Sequence, residues 1–327
     1  IPIRWNSIPV WAVHSPSVFR QASDGDNMSE TVKPSAVAHP RATWIDPVSG
    51  KILSFKPLMQ EMASKSVVML GETHDIAEIH RWQLHVAATL YALRPNMMMG
   101  FEMFPRRLQP VLDEWVDGRL DTETFLKKSE WLDVWGFPAE IYLPLFHFCR
   151  QQKIRMLALN CYRELVSRVG KLGWNAIPET ERDGLTPAAP ATEAYYAHLA
   201  SYGNHRKPDD TPAPDRERFM RAMQTWDRAF ACNMAHALHE IPPADPKPII
   251  IGIIGRGHLE YGHGTPYQLA DLGITDTAVL LTSDKPEWQP EPDRKIADAI
   301  FRIDTPEPRA TRIAMPKNRE SKQAQDE

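Results

Sequence analysis

The stretch SVVMLGETHD, residues 66–75, decides the fold. Its first six residues form an apolar run that ends in glycine, the pattern of a strand buried on both faces of a parallel sheet. The four residues that follow, ETHD, are polar and carry reactive groups. Apolar residues at helical spacing then predict a helix over residues 77–93. A strand, a polar turn and a helix in this order are typical of one repeating unit of an α/β sheet.

Other apolar runs of strand length extend this pattern along the chain. They are residues 97–103 (MMMGFEM), 155–160 (RMLALN), 248–254 (PIIIGII), 277–282 (TAVLLT) and 299–303. Helical segments separate them, and those between residues 105 and 240 are too many to serve as simple crossovers. The sequence therefore predicts an α/β fold, with a mainly parallel sheet, helices on both faces and a helical cap subdomain.

The composition divides the chain into three parts. Residues 1–42 mix Pro, Ser, Asp and His without periodicity and are predicted to form a loose N-terminal arm. Residues 43–306 carry the α/β domain, with helical insertions at about 105–152 and 163–240. Residues 307–327 are polar and charged, so a disordered tail is expected there.

The bulk properties bear on the partners that the protein takes. The 327 residues carry a net charge of −4 and no polybasic run, so neither nucleic acid nor an anionic membrane surface is an expected partner. No apolar segment approaches the roughly 20 residues of a transmembrane helix, so none is predicted. Residues 1–27 lack the pattern of a signal peptide. The expected location is periplasmic or membrane-associated if a leader has been lost, and cytoplasmic otherwise.

Reactive side chains follow three of the predicted strands. Glu72 and His74 come after the first strand, Glu102 lies at the end of the second, and His258 follows the run PIIIGII. Ligands in open parallel sheets bind at the carboxyl ends of the strands, so these four side chains are expected to meet at one edge. Carboxylates and imidazoles together bind metal ions or perform acid–base chemistry. Tyr261 is expected close by.

Several motifs carry a resemblance to the ChaN family, which belongs to a superfamily with Tiki proteases and erythromycin esterases. The string VVMLGETHD, with a histidine and a glutamine further on, is similar to the first motif of that family. The later matching segments are residues 101–106, 109–112, 130–131, 135–137, 157–160, 224–227 and 257–266. Together they span roughly residues 45–283.

The resemblance implies noncovalent haem binding, in haem or iron uptake or trafficking, with a possible homodimer around the haem. The sequence has no Cys-x-x-Cys-His, so thioether links to haem are not expected. A tyrosine is the implied iron ligand, and two tyrosines follow predicted strands. The residues implied in haem binding are Tyr261, Tyr162, His74, His258 and His263, with Arg256 and Arg163 as partners of the propionates.

Two other interpretations stay open. In the first, the protein is a hydrolase of the Tiki or erythromycin-esterase type, in which Glu72, His74, Glu102 and His258 bind a divalent metal or activate water. In the second, these side chains are structural and the protein binds a partner. An enzyme is the less favoured interpretation, and no catalytic residue is assigned outside the hydrolase alternative.

Overall fold

The structure is a computed structural model that describes residues 35–202, 213–242 and 245–314. Its strands in chain order are β1 (Val37–Ala38), β2 (Trp44–Ile45), β3 (Ile52–Leu53), β4 (Val67–Glu72), β5 (Met97–Pro105), β6 (Arg155–Asn160), β7 (Ile249–Gly255), β8 (Thr277–Ser283), β9 (Glu287–Trp288) and β10 (Ala299–Arg302). Within these residues, one sheet has eight strands in the order β3-β2-β10-β8-β4-β7-β5-β6. The six strands from β10 to β6 run parallel.

The helices in chain order are α1 (Phe55–Ser64), α2 (Ala77–Leu93), α3 (Gln109–Val116), α4 (Thr122–Lys128), α5 (Trp131–Val134), α6 (Leu143–Gln152), α7 (Arg163–Leu172), α8 (Glu193–Tyr202), α9 (Ala213–His239) and α10 (Thr265–Asp271). Helices α1 to α6 share one hydrophobic cluster, and α7, α9 and α10 share a second one. The predicted mainly parallel sheet with helices on both faces is confirmed.

Alternation along β4 shows why the sheet has two buried faces. Val68 and Leu70 point into the first cluster, whereas Val67 and Met69 point into the second. Side chains of a strand project alternately to opposite faces, so a strand covered on both sides is apolar throughout. All six residues of β4 are buried.

Five of the helices between β5 and β7 fall into two groups. Helix α3 packs against β6, α6 packs against α2, and α9 packs against β6, so these helices cover the faces of the sheet. Helices α4 and α5 lie instead beside the end of β5, and their aromatic side chains pack against Phe104 of that strand. The cap therefore consists of α4, α5 and the loop that follows them.

Parts of both predicted flexible ends are ordered. Residues 1–34 and 315–327 lie outside the described residues, but β1 pairs with β9, and His39 Nε2 lies 2.7 Å from the Gly50 carbonyl oxygen. Residues 309–314 hydrogen-bond to the loop after β4 and to the cap. Composition does not reveal this order, because backbone groups make most of these bonds. Within the described residues, no helix has the length and apolar character needed to cross a membrane.

Candidate functional site

The carboxyl ends of β4, β5, β6 and β7 lie at the same end of the sheet, and this end is called the rim below. The register of β4 and β7 places Glu72 beside Gly255, the last residues of their strands. The loops after these strands carry the side chains that the sequence singled out. Parallel register thus brings together residues that lie far apart in the chain.

A first histidine–carboxylate pair follows β4. The Nδ1 atom of His74 lies 2.7 Å from Oε1 of the buried Glu72, and the Tyr142 hydroxyl donates to the same oxygen at 3.1 Å. Burial opposes ionisation of Glu72, but His80, His74 and Tyr142 together lower the pKa of its carboxyl. Glu72 is therefore a buried carboxylate that stays ionised because hydrogen bonds and imidazoles compensate for its desolvation.

A histidine behind this pair holds it in place. The Gln83 side-chain amide donates to the Leu70 carbonyl at 2.9 Å, so its oxygen faces Nδ1 of His80 at 3.0 Å. The Nε2 atom of His80 lies 3.2 Å from the carbonyl oxygen of His74. Both ring nitrogens of His80 thus face oxygen atoms of neighbouring groups, which fixes the orientation of the ring. His80 Nδ1 also lies 3.3 Å from Oε2 of Glu72.

A second histidine–carboxylate pair follows β7. The Nδ1 atom of His258 lies 2.8 Å from Oδ1 of Asp227, which comes from α9. Tyr195 donates to the other carboxylate oxygen at 2.6 Å, and Thr265 donates to Oδ1 at 3.1 Å. Burial opposes protonation of His258, but Asp227 and the more distant Glu102 raise its pKa. Asp227 fixes the orientation of the imidazole ring by binding its Nδ1 atom. The Nε2 atom is then the ring nitrogen that can take or give a proton.

Glu102 lies between the two pairs. Its Oε2 atom accepts the backbone N–H of Gly255. A Cβ atom at Gly255 would lie 2.9 Å from Cε1 of His74 and 3.2 Å from Glu102 Oε2, so only glycine leaves room for both side chains. Burial opposes protonation of His74, but Glu72 and Glu102 raise its pKa. One carboxylate therefore acts electrostatically on both histidines.

The predicted divalent-metal site finds no support in this geometry. Within the described residues, no group of three or more His, Cys, Asp or Glu side chains is arranged to hold a metal ion. Glu72 is bound by His74 and Tyr142, and His258 turns its Nδ1 atom to Asp227. Of the four side chains that were expected as ligands, His74 pairs with Glu72, whereas His258 pairs with Asp227 and Glu102 lies between the two pairs. The four side chains therefore do not converge on one point.

Tyr261 follows His258 in the chain and lies in a cluster of aromatic and charged side chains. Its hydroxyl donates to Glu291 at 3.3 Å, and the Arg294 guanidinium carbon lies 4.1 Å from the centre of its ring. The ring of His198 packs edge-on at 5.1 Å, and the ring of His263 lies 5.9 Å away. Burial and Glu291 raise the pKa of Tyr261, against the opposing effect of Arg294. Burial, His198 and Arg294 lower the pKa of His263.

Tyr162 and Arg163 have a different setting, directly after β6. Tyr162 is 40% exposed and is the residue that precedes α7. Burial and the nearby Arg312 lower the pKa of the Arg163 guanidinium, whereas Glu164 raises it. Arg256, the other predicted cationic partner, binds Glu260 at 2.5 Å. Tyr162 is thus the exposed candidate ligand, whereas Tyr261 and Arg256 are each engaged by a glutamate.

Two cavities lie away from the rim. One, of about 460 Å³, lies beside α1 and includes Asp46, Glu61 and Asp298 in its lining, so it is unsuited to an anionic ligand. The other, of about 280 Å³, includes Trp174 and Arg228. Arg228 is bound by Thr186, Gln268 and Asp271. Neither cavity includes a side chain of the two histidine pairs.

The second histidine pair predicts a pH-dependent contribution to stability. The pKa of His258 is raised above 6.5 in the folded state, so its contribution is complete below that pH and is lost as pH rises through the raised value. We expect His258→Asn to lower the free energy of unfolding more at about pH 6 than at about pH 9. Urea denaturation at both pH values measures this difference.

His236 provides the matched control for this prediction. It pairs with Glu240 on the surface, where its side chain is 55% exposed. His236→Asn should therefore change the free energy of unfolding little at either pH. An effect of His258→Asn that is equal at the two pH values would contradict a raised pKa for His258.

Several residues of the site were not predicted from the sequence. Asp227 lies in the segment 224–227 that carries the resemblance. The rule that ligands bind at the carboxyl ends of strands does not identify it, because it lies within a helix. Tyr142 and Tyr195 gave no signal, since each reaches the rim from a helical segment distant in sequence. Arg312 lies in the segment predicted to be disordered.

These elements define an α/β protein whose parallel strands end in two histidine–carboxylate pairs. Residues 58–269 match the family described as haem-binding uptake, Tiki superfamily, ChaN. The match covers more than half of the chain, which therefore belongs to this family, and the resemblance read from the motifs is confirmed. The family match supports haem as the ligand.

Comparison with solved structures agrees on the fold. The structure described as cofacial heme binding to ChaN of Campylobacter jejuni superposes with a TM-score of 0.62 at 17% identity, over 79% of this chain and 95% of that one. A mutant erythromycin esterase in its open conformation gives a TM-score of 0.42 at 11% identity over 74% of this chain and 76% of that one, too low to carry an argument.

One curated relative is a plant protein. It is RETICULATA-RELATED 5, chloroplastic, of Arabidopsis thaliana, which is 21% identical over 220 residues. The aligned segment is 63% of this chain and 29% of the relative. The chain thus spans less than a third of the length of that relative.

Proposed function

We propose that this protein binds haem reversibly and noncovalently at the rim, with Tyr162 as the iron ligand, in haem or iron uptake or trafficking. The observation that carries the proposal is an exposed phenol beside a guanidinium at a strand end, in a chain of a haem-binding family. The phenolate of a tyrosine favours ferric haem, which suits a carrier.

Tyr162 is favoured over Tyr261 because of access and charge. The hydroxyl of Tyr261 is engaged by Glu291, and Arg294 lies over its ring. Burial and the Glu291 carboxylate raise its pKa, which disfavours a phenolate. Tyr162, with 40% of its surface exposed, can meet an iron without displacing protein groups.

The charged groups beside Tyr162 fit the two carboxylates of haem. Arg163 follows it directly, and Arg312 lies close enough to lower the pKa of Arg163. A guanidinium group can bind a carboxylate through charge-assisted hydrogen bonds, so each arginine suits one propionate. Arg256 is a weaker candidate, because Glu260 already neutralises it. The donor set of a phenol and two guanidiniums thus matches haem.

The three histidines that the resemblance implies in haem binding have different places in this proposal. His74, whose side chain is 23% exposed, lies close enough to the rim surface to donate a hydrogen bond to a propionate. His258 is held by Asp227 and has a positioning role, and His263 belongs to the cluster around Tyr261. An open haem face would also suit a second copy of the chain, so a homodimer around the haem is part of the proposal.

Titration of the purified protein with hemin, followed at the Soret band, tests this function. We expect a saturable and shifted band at a defined stoichiometry, with sedimentation showing whether the protein dimerises when loaded. Spectra that match free hemin throughout the titration would overturn the proposal.

The two histidine pairs around Glu102 favour hydrolysis as a second candidate function. In each pair a carboxylate orients Nδ1 of the histidine, the arrangement that prepares an imidazole to take or give a proton. A panel of ester and peptide substrates tests it, with His74→Ala and His258→Ala as variants. Turnover that both variants lose would support a hydrolase, and absence of turnover across the panel would remove this candidate.

A further inference from the structure

Residues 309–314, called the strap below, cross the rim and are fixed at both ends. At one end, the N–H of Ala310 donates to the Asp75 carbonyl at 2.7 Å, and the Arg309 side chain lies 3.3 Å from the Asp75 carboxylate. At the other end, the N–H of Ile313 donates to the Gly136 carbonyl at 2.6 Å. The strap therefore joins the residue after His74 to the cap.

The cap is shaped to receive the strap. A Cβ atom at Gly136 would lie 1.8 Å from the carbonyl oxygen of Ala314, and Gly136 has a φ of +79°. Both the close approach and the left-handed backbone require glycine at this position. The glycine at position 136 of the cap is therefore needed for the contact with the strap.

Between its anchors, the strap directs Arg312 toward the rim. The guanidinium carbon of Arg312 lies 4.4 Å from the centre of the Phe137 ring, which in turn lies 5.9 Å from the His74 ring. Trp135 packs edge-on against His74 at 4.7 Å. Burial lowers the pKa of Arg312, and Glu102 at the rim opposes that shift. The cation therefore lies on Phe137, one of the two aromatic rings that pack against His74.

We infer that the strap completes the ligand site by supplying Arg312, which together with Arg163 binds the carboxylates of an anionic ligand. This inference rests on the proposed haem binding and names the residues that recognise the acidic groups. The family match ends at residue 269, so the strap contributes a binding group from outside the matched segment.

Hemin and its dimethyl ester, which lacks the two carboxylates, are the probes that test Arg312. We expect Arg312→Ala to weaken hemin binding by about tenfold or more while leaving affinity for the ester unchanged. Arg119→Ala is the matched control, because Arg119 is an exposed arginine paired with Asp117 in the loop after α3. It should bind hemin like the wild type.

The outcomes separate this inference from the proposed function. If the wild type and Arg312→Ala bind hemin equally well, the inferred role of Arg312 is contradicted, whereas the proposed haem binding is supported. An equal loss for hemin and for its ester would also contradict carboxylate recognition by Arg312. Failure of the wild type to bind hemin would overturn the proposed function itself.

A second pair of variants tests the strap without relying on Arg312. Ile313→Pro removes the N–H that binds Gly136, whereas Ile313→Ala keeps it, and Ile313 as a residue is 64% exposed. In the unloaded protein, Ile313→Pro should speed hydrogen exchange at the amides of Ala310 and Ala314, and it should also weaken hemin binding. Ile313→Ala should do neither. Faster exchange with unchanged hemin affinity would show that the strap is not part of the site.

Discussion

Replacing Asp227 with alanine is expected to lower the free energy of unfolding by about 3–5 kcal/mol. The carboxylate is fully buried and accepts hydrogen bonds from Tyr195 and Thr265 while it pairs with His258. Its removal leaves these groups without their acceptor in a buried site, so their desolvation is no longer compensated. Urea denaturation monitored by circular dichroism measures the loss.

The matched control for this prediction is Glu240→Ala. Glu240 pairs with Arg155 at 3.0 Å, but the two side chains are 42% and 43% exposed. A surface ion pair contributes at most about 1 kcal/mol, so this variant should remain close to the wild type. If Asp227→Ala cost no more than Glu240→Ala, Asp227 would not be the structural centre of the second histidine pair.

Replacing Tyr162 with phenylalanine is expected to remove the iron ligand. Tyr162→Phe should weaken hemin binding by at least about tenfold, or about 1.4 kcal/mol, and abolish the absorption features of phenolate-ligated ferric haem. The fold should not change, because this residue lies at the surface. Visible spectra and affinities from the hemin titration measure both effects.

Tyr261→Phe is the matched control, since it removes one hydroxyl from the other candidate tyrosine. That hydroxyl donates to Glu291 at 3.3 Å, so its loss should leave the spectrum of the loaded protein as in the wild type. Loss of the phenolate features in Tyr261→Phe, with a normal spectrum in Tyr162→Phe, would reverse the assignment.

Local patterns in the sequence predict the elements of this fold closely. Helix α2 (Ala77–Leu93) and strand β6 (Arg155–Asn160) have the predicted bounds. Strands β4 and β7 each begin and end one residue later than predicted, and β8 ends one residue later. Helical spacing fixes α2, and a continuous apolar run fixes a strand buried on both faces. These signals lie within each element and require no knowledge of its neighbours.

The site is only partly predictable for the opposite reason. The strand-end rule identifies His74, Glu102 and His258, because a parallel sheet brings strand ends to one edge. It does not identify Tyr142, which reaches Glu72 from a position 70 residues away in the sequence. The same limit explains the strap, whose order depends on partners in the loop after β4 and in the cap.

The metal site of the hydrolase alternative shows what residue types at strand ends leave undecided. Two carboxylates and two histidines at one rim have the chemistry of a metal site, but chemistry does not determine which atoms face each other. Glu72 and Asp227 each capture one histidine through Nδ1, which leaves two pairs in place of a common ligand set. Asp227 was absent from the predicted set, and its presence changes the interpretation.

Crystals grown with hemin, and measured at the iron absorption edge, test the central claim most directly. An anomalous difference map locates the iron without any assumption about the ligand. We predict an iron peak beside the hydroxyl oxygen of Tyr162, with Arg163 and Arg312 facing the propionates. An iron peak beside Tyr261 or His263, or a map without an ordered iron peak at the rim, would contradict the account.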